Sequence, residues 1–171
     1  VYSAIQYSPT AQRVLLASKE NGLEIADRLI FESAQYALRY FVQEIGEGSL
    51  VPIPSRPAMV RKRGRSAISD LVAKLGEGGT RPHKTELHKN FLIHTRVVRD
   101  QSRLSSSARK LNLHGALQVI DAVKESSGNP VILIDDLVTS GATLLEASRA
   151  LRAEGFVVLG AVTACVSQPL R

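Results

Sequence analysis

Apolar positions in the first third of the chain are spaced for helices. Leu23, Ala26, Ile30, Ala34, Ala37, Leu38 and Phe41 recur at steps of three and four, which predicts an amphipathic helix from Leu23 to about Phe41. The residues before it, up to about Ser18, carry scattered apolar positions and suggest a short helix or an arm. Gly46 and Gly48 then break the chain. Leu50-Val51-Pro52-Ile53 follows as a short strand that runs into the proline-rich turn Pro54-Ser55-Arg56-Pro57. Ala67 to Leu75 predicts another helix, stopped by Gly76, Gly78 and Gly79.

The second half alternates differently. Phe91 to Thr95 is a candidate strand, Arg99 to Ser107 is polar, Ala108 to Asn112 has a short helical pattern, and Ala116 to Ile120 is a weaker strand candidate. Val131-Ile132-Leu133-Ile134 is the clearest strand, and its unbroken apolar run implies burial on both faces, as in the middle of a parallel sheet. Leu144 to Ala153 predicts a helix with Gly155 just past its end, and Phe156 to Ala164 the next strand. Strand, turn, helix, glycine, strand is a βαβ unit. The expected fold class is therefore α/β, with a mostly parallel twisted sheet flanked by helices. Residues 1–48 are expected as an N-terminal helical part, a hood or arm, and residues 49–171 as the core, together one structural domain.

Composition narrows the function classes. No apolar stretch approaches the ~18 residues of a membrane span and no start resembles a signal peptide, so a cytoplasmic protein with no membrane partner is expected. The chain opens at Val1 and its only methionine is Met59, from which a natural start upstream is expected. The single cysteine, Cys165, excludes an internal disulfide and reads as a small buried hydrophobe. His83, His88, His94 and His114 lack metal-ligand spacing and suit surface or helix-end positions. The net charge of +6 suits a nucleic acid or a small polyphosphate equally. The densest basic run, Arg61-Lys62-Arg63-Gly64-Arg65, has no interleaved aromatic ring, which disfavours a direct nucleic-acid partner.

The segment Val131 to Thr143 carries the chemistry. A buried strand ends in Asp135 and Asp136, and the short loop Leu137 to Gly141 leads into a helix. Ligands of open α/β sheets sit beyond the carboxyl ends of the strands. Loop amides and a helix N-terminus bind anions there, with Gly141 allowing close approach and Thr139, Ser140 and Thr143 adding hydroxyls. The carboxylates accept hydrogen bonds from sugar hydroxyls or bind hydrated Mg²⁺. Sugar hydroxyls at one end and a phosphate at the other describe a ribose 5-phosphate. The plainer alternative is that the acids begin a turn and that Thr139 or Ser140 caps the helix. There is no P-loop and no dinucleotide fingerprint.

The whole string resembles the 5-phosphoribosyl-1-pyrophosphate (PRPP) signature of type I phosphoribosyltransferases. Val51-Pro52-Ile53-Pro54, Arg61 and Arg63-Gly64 also resemble the first half of the late competence protein ComF family. So does the series Arg96, Gln101, Leu104, Arg109, Asn112 and Gly115. Relatives usually continue Arg-Gly with Phe-Asn-Gln, where this chain has Arg65-Ser66-Ala67, and often carry a cysteine-rich N-terminal segment that this chain lacks. The resemblance implies transfer of a phosphoribosyl group from PRPP to an unidentified nitrogen acceptor, with Mg²⁺ as cofactor and pyrophosphate as product. Asp135, Asp136, Thr139, Ser140, Gly141, Ala142 and Thr143 would bind PRPP. Ser55 and Arg56 would hold pyrophosphate, Arg56 joining the two acids in catalysis. Mg²⁺ would arrive with PRPP and touch Asp135 or Asp136. Arg61, Lys62, Arg63 and Arg65 could extend the positive field, although a solvated helix entrance suits at least two of them. Arg99, Gln101 and Arg109 would belong to a flexible lid. Thr139 stands where 6-oxopurine salvage enzymes have an acid, which argues against those bases. A homodimer is compatible with the resemblance. So is a non-catalytic role, in DNA uptake or as a PRPP-sensing regulator.

Overall fold

The computed structural model describes residues 1–77, 91–97 and 112–167. The opening holds the expected short helix and, before it, a strand that the sequence reading lacked. Tyr2–Gln6 forms strand β1 before helix α1, Pro9–Asn21. Ser8 caps α1, its hydroxyl accepting from the Ala11 amide at 3.1 Å, and Pro9 supplies the preset first turn. Helix α2 spans Glu24–Glu44, close to the periodicity expectation. Strand β2, Ser49–Pro52, leads through the proline turn into α3, Pro57–Arg63, a short helix absent from the sequence reading, and then α4, Ala67–Glu77. Strands β3, Leu92–His94, and β4, Leu117–Val119, pair antiparallel as a separate ribbon. A 3-10 turn, Asp121–Ser126, precedes β5, Pro130–Val138; α5, Ala142–Ala153, and β6, Val157–Val166, complete the βαβ unit.

The main sheet has the order β1-β6-β5-β2, every pairing parallel. β5 and β6 are central, and this explains why Val131, Ile132, Leu133 and Ile134 are all 2 % exposed or less. Their side chains alternate between two cores. Ile132 and Ile134 pack with Ile30, Ala34, Phe41, Leu71 and Leu75 under α2 and α4. Val131 and Leu133 pack with Ala147, Leu151 and Phe156 against α5, together with Leu117 and Val119 of the ribbon. Gly160 matters to the first core, because a Cβ there would stand 2.8 Å from the Phe41 ring. The ring therefore rests on bare strand backbone.

β5 does not stop at Ile134. It continues through both aspartates, with Asp135 opposite Thr163 and Leu137 opposite Cys165 on β6. Asp has a poor intrinsic strand preference, but a neighbour that runs on alongside supplies the backbone bonds that outweigh it. The expected strand, Val131 to Ile134 ending in the two acids, thus runs on to Val138. Cys165 is 2 % exposed, and burial first, then the charge of Asp136, pushes its thiol upward. The expected helix near Ala108 and the lid residues Arg99, Gln101 and Arg109 lie outside the described residues, as do His83 and His88. No described helix is long and apolar enough to cross a membrane.

Candidate functional site

A cavity of about 470 Å³ opens at the carboxyl end of β5, and Asp135, Asp136, Thr139 and Thr143 line it. Ser55 and Arg56, from the turn between β2 and α3, line it as well. Two segments distant in sequence thus meet at one hollow because β2 and β5 are hydrogen-bonded neighbours in the sheet. Ser140, Gly141 and Ala142 make the backbone between Thr139 and Thr143. Gly141 sits at the N-cap of α5 with φ 70°, a left-handed conformation that glycine adopts without a Cβ penalty. No side chain caps α5, so its first amides keep donors free of any side-chain cap. The plainer reading, in which Thr139 or Ser140 caps the helix, is therefore not what the structure holds. Ala142 is buried against Leu113 and Ala116 and fixes the helix start by packing.

The two acids differ. Successive strand residues project to opposite faces, so Asp136 shares the α1 and α2 side with Ile134. There the Lys19 ammonium from α1 lies 2.6 Å from its carboxylate, with side-chain exposures of 26 % and 13 %. Asp135 is partly exposed, and one of its oxygens accepts from the Asp136 amide at 2.9 Å. Burial first, and then the charge of Asp136, pushes the Asp135 carboxyl well above the usual carboxylate range; the charge of Lys19 opposes them.

Lys19 is the site residue that sequence reasoning missed. A lysine near the end of an amphipathic helix looks like any solvated lysine, and only the packing of α1 over the end of β5 gives it a role. His94 corrects another expectation. It is neither on the surface nor at a helix end: it stands on β3, lines the cavity, and its Nε2 donates to the Pro54 carbonyl at 3.1 Å. With Nε2 as donor, its buried Nδ1 is left without a hydrogen-bond partner among the described residues. The bond ties the Ser55–Arg56 turn to the ribbon.

The basic run divides into separate tasks. Arg65 bonds Asp27 at 2.8 Å and approaches Asp70 at 3.4 Å, while Ser18 donates to the same Asp27 at 2.6 Å. It is thus a brace between α2 and α4. Arg63 lines the cavity and pairs with Glu20, Lys62 also reaches Glu20, and Arg61 is exposed. Arg96 donates to the carbonyls of Asn112 and His114 at 2.8 and 3.1 Å.

The donor set suits a shared cation more than a protein-built metal cage. Among the described residues no three His, Cys, Asp or Glu side chains converge. Two carboxylates beside the uncapped start of α5 suit the way Mg²⁺ is held jointly by one or two acids and substrate phosphates.

A search of curated proteins finds no match to the chain. The phosphoribosyl transferase domain model matches residues 61–169, well over half of the chain, and the matched span includes β5, the loop after it and α5. With the parallel sheet and the cavity at its carboxyl end, this places the chain in the phosphoribosyl transferase domain family.

Proposed function

We propose that the cavity binds PRPP and that the domain transfers its phosphoribosyl group to a nitrogen nucleophile, with release of pyrophosphate. One observation carries this reading: the acid pair, the uncapped start of α5 and the Ser55–Arg56 turn open on a single hollow. The loop from Thr139 to Thr143 takes the 5-phosphate on its amides and hydroxyls. Asp135 and Asp136 accept the ribose hydroxyls and fix the sugar, converting an encounter into an oriented complex. Arg56, exposed at the rim, offers a guanidinium fork to the departing pyrophosphate. Charge develops in two places as the glycosidic bond breaks, positive at C1 and negative on the leaving group. Preorganised groups of opposite sign at each place lower that barrier. Mg²⁺, when bound with PRPP, supplies further neutralisation of the pyrophosphate, and Asp135 is the acid left free of a cation partner to share it.

The resemblance of Val51 to Pro54, Arg61 and Arg63-Gly64 to the ComF pattern supports a reading within that subgroup, and Thr139 in place of an acid argues mildly against 6-oxopurine acceptors. The ion pairs of Lys62, Arg63 and Arg65 leave the basic run with little free charge for nucleic acid.

Calorimetry with PRPP and Mg²⁺ tests binding, and pyrophosphate release across a panel of bases and amines tests turnover. The wild-type protein should bind, and Asp136→Asn should bind more weakly. An Asp136→Asn protein that bound as tightly would refute the assigned role. Binding with no release across the panel would favour a PRPP-sensing protein over an enzyme.

A further inference from the structure

The last turn of α1 places two consecutive charged residues at the site. Lys19 goes to Asp136 on β5, and Glu20 goes to the basic end of α3. Glu20 is in the wrong place for α1 itself, since an anion in the last turn faces the negative end of the helix dipole. Its partners compensate. Arg63 donates from Nε and Nη2 to one Glu20 oxygen at 3.1 and 2.5 Å, and Lys62 approaches the other at 3.4 Å. The bond from Arg63, before all else, holds the Glu20 carboxyl below its usual range. Arg63 is 19 % exposed and lines the same cavity as Arg56, on the helix that directly follows the Ser55–Arg56 turn. A carboxylate on a guanidinium fork makes the contact that a phosphate oxygen would make there.

We propose that Glu20 is an internal competitor for the anion-binding face of Arg63, displaced by a pyrophosphate group, so that this pair selects pyrophosphate-bearing ligands over sugar monophosphates. The proposal rests on the reading that the cavity takes PRPP. A sugar monophosphate occupies the acids and the α5 loop and leaves Glu20 seated. A pyrophosphate beside Arg56 meets Arg63 on the same cavity wall and exchanges one carboxylate for several phosphate oxygens. Glu20 therefore weakens each pyrophosphate-bearing ligand by the strength of a partly exposed ion pair, and offsets one of the positive charges at the basic end when the site is empty.

The test titrates inorganic pyrophosphate and ribose 5-phosphate separately into wild type, Glu20→Gln, Arg63→Gln and the double variant. Glu20→Gln should tighten pyrophosphate by about three- to fivefold, the scale of a partly exposed pair. It should leave ribose 5-phosphate unchanged. Arg63→Gln should weaken pyrophosphate and abolish the effect of Glu20→Gln, since the two residues act as one unit. Glu20→Asp, with its shorter reach, should tighten pyrophosphate to an intermediate degree. Unchanged or weaker pyrophosphate binding in a folded Glu20→Gln protein would overturn the proposal. Equal tightening of both ligands would also overturn it, by showing only a change in overall field. Pyrophosphate following this pattern while ribose 5-phosphate fails to bind would leave the competition standing and sink the PRPP reading instead.

Discussion

Lys19→Met is the sharpest probe of how the site is held, because it removes one charge and nearly nothing else. At 2.6 Å and an effective dielectric of about 20, its attraction to Asp136 is roughly 6 kcal/mol. Desolvation of both groups offsets most of that, since the side chains retain only 26 % and 13 % of their exposure. A net loss of about 2 kcal/mol remains, in the range of a hydrogen bond between charged groups. For a chain of this length that lowers Tm by about 4–8 °C. The pH dependence follows from the acids left behind. The charge of Lys19 pulls the Asp135 carboxyl down against burial and Asp136. Without it the carboxyl rises further, so the loss is greatest near neutral pH and shrinks as falling pH protonates Asp135 in the folded state. Thermal unfolding between pH 5 and 8 measures both effects, and Lys19→Arg should recover most of the stability. In a double-mutant cycle with Asp136→Asn the two changes should be non-additive by at least about 1 kcal/mol. A Lys19→Met protein within about 0.5 kcal/mol of wild type, or an additive cycle, would show that the pair is a solvated contact.

Other changes separate function from stability. Asp135→Asn should stabilise the fold at neutral pH while weakening PRPP binding. The raised carboxyl costs stability above its unfolded pKa, and the penalty is relieved as pH falls, so the gain in Tm should be larger at pH 8 than at pH 5. Gly141→Ala forces a Cβ into a left-handed residue at φ 70° and should cost about 1–2 kcal/mol, read by denaturant unfolding. The same variant should lose affinity for ribose 5-phosphate, because the amides of the loop move. Glu146→Ala removes a 5 % exposed carboxylate that accepts from the Leu117 amide at 3.2 Å and from two Arg149 nitrogens at 2.8 Å. It should cost about 2–3 kcal/mol, with increased hydrogen exchange at Leu117 as the local signature.

The half of the site that the sequence displays is the half whose parts are adjacent in the chain. A strand end, a loop and a helix start follow one another from Val131 to Thr143, so the residue types needed for sugar and phosphate fall in one readable string. The unbroken apolar run Val131 to Ile134 signals a central strand because both faces are covered. β1 gives no such signal: it is an edge strand whose residues Tyr2 to Gln6 are half-exposed or exposed, and without burial there is no alternation to read. α3 was hidden by the prolines that begin it and by a basic sequence with no buried residue.

The half that the sequence conceals is assembled by packing, and it is also the half that sets charge. Lys19 and Glu20 are neighbours on one helix turn, yet one meets an acid on β5 and the other meets bases on α3. Their order along the chain has no local meaning. It acquires one only when β1 joins the edge of β6 and carries α1 back over the end of β5. The consequence is a cavity whose candidate binding groups come from two segments, the β5–α5 string and the Ser55–Arg56 turn, and whose counter-ions come from a third. Ligand affinity should then be adjustable from α1 alone, with the acids, the loop and Arg56 unchanged, and substitutions at Lys19 and Glu20 should move stability and pyrophosphate affinity independently of each other.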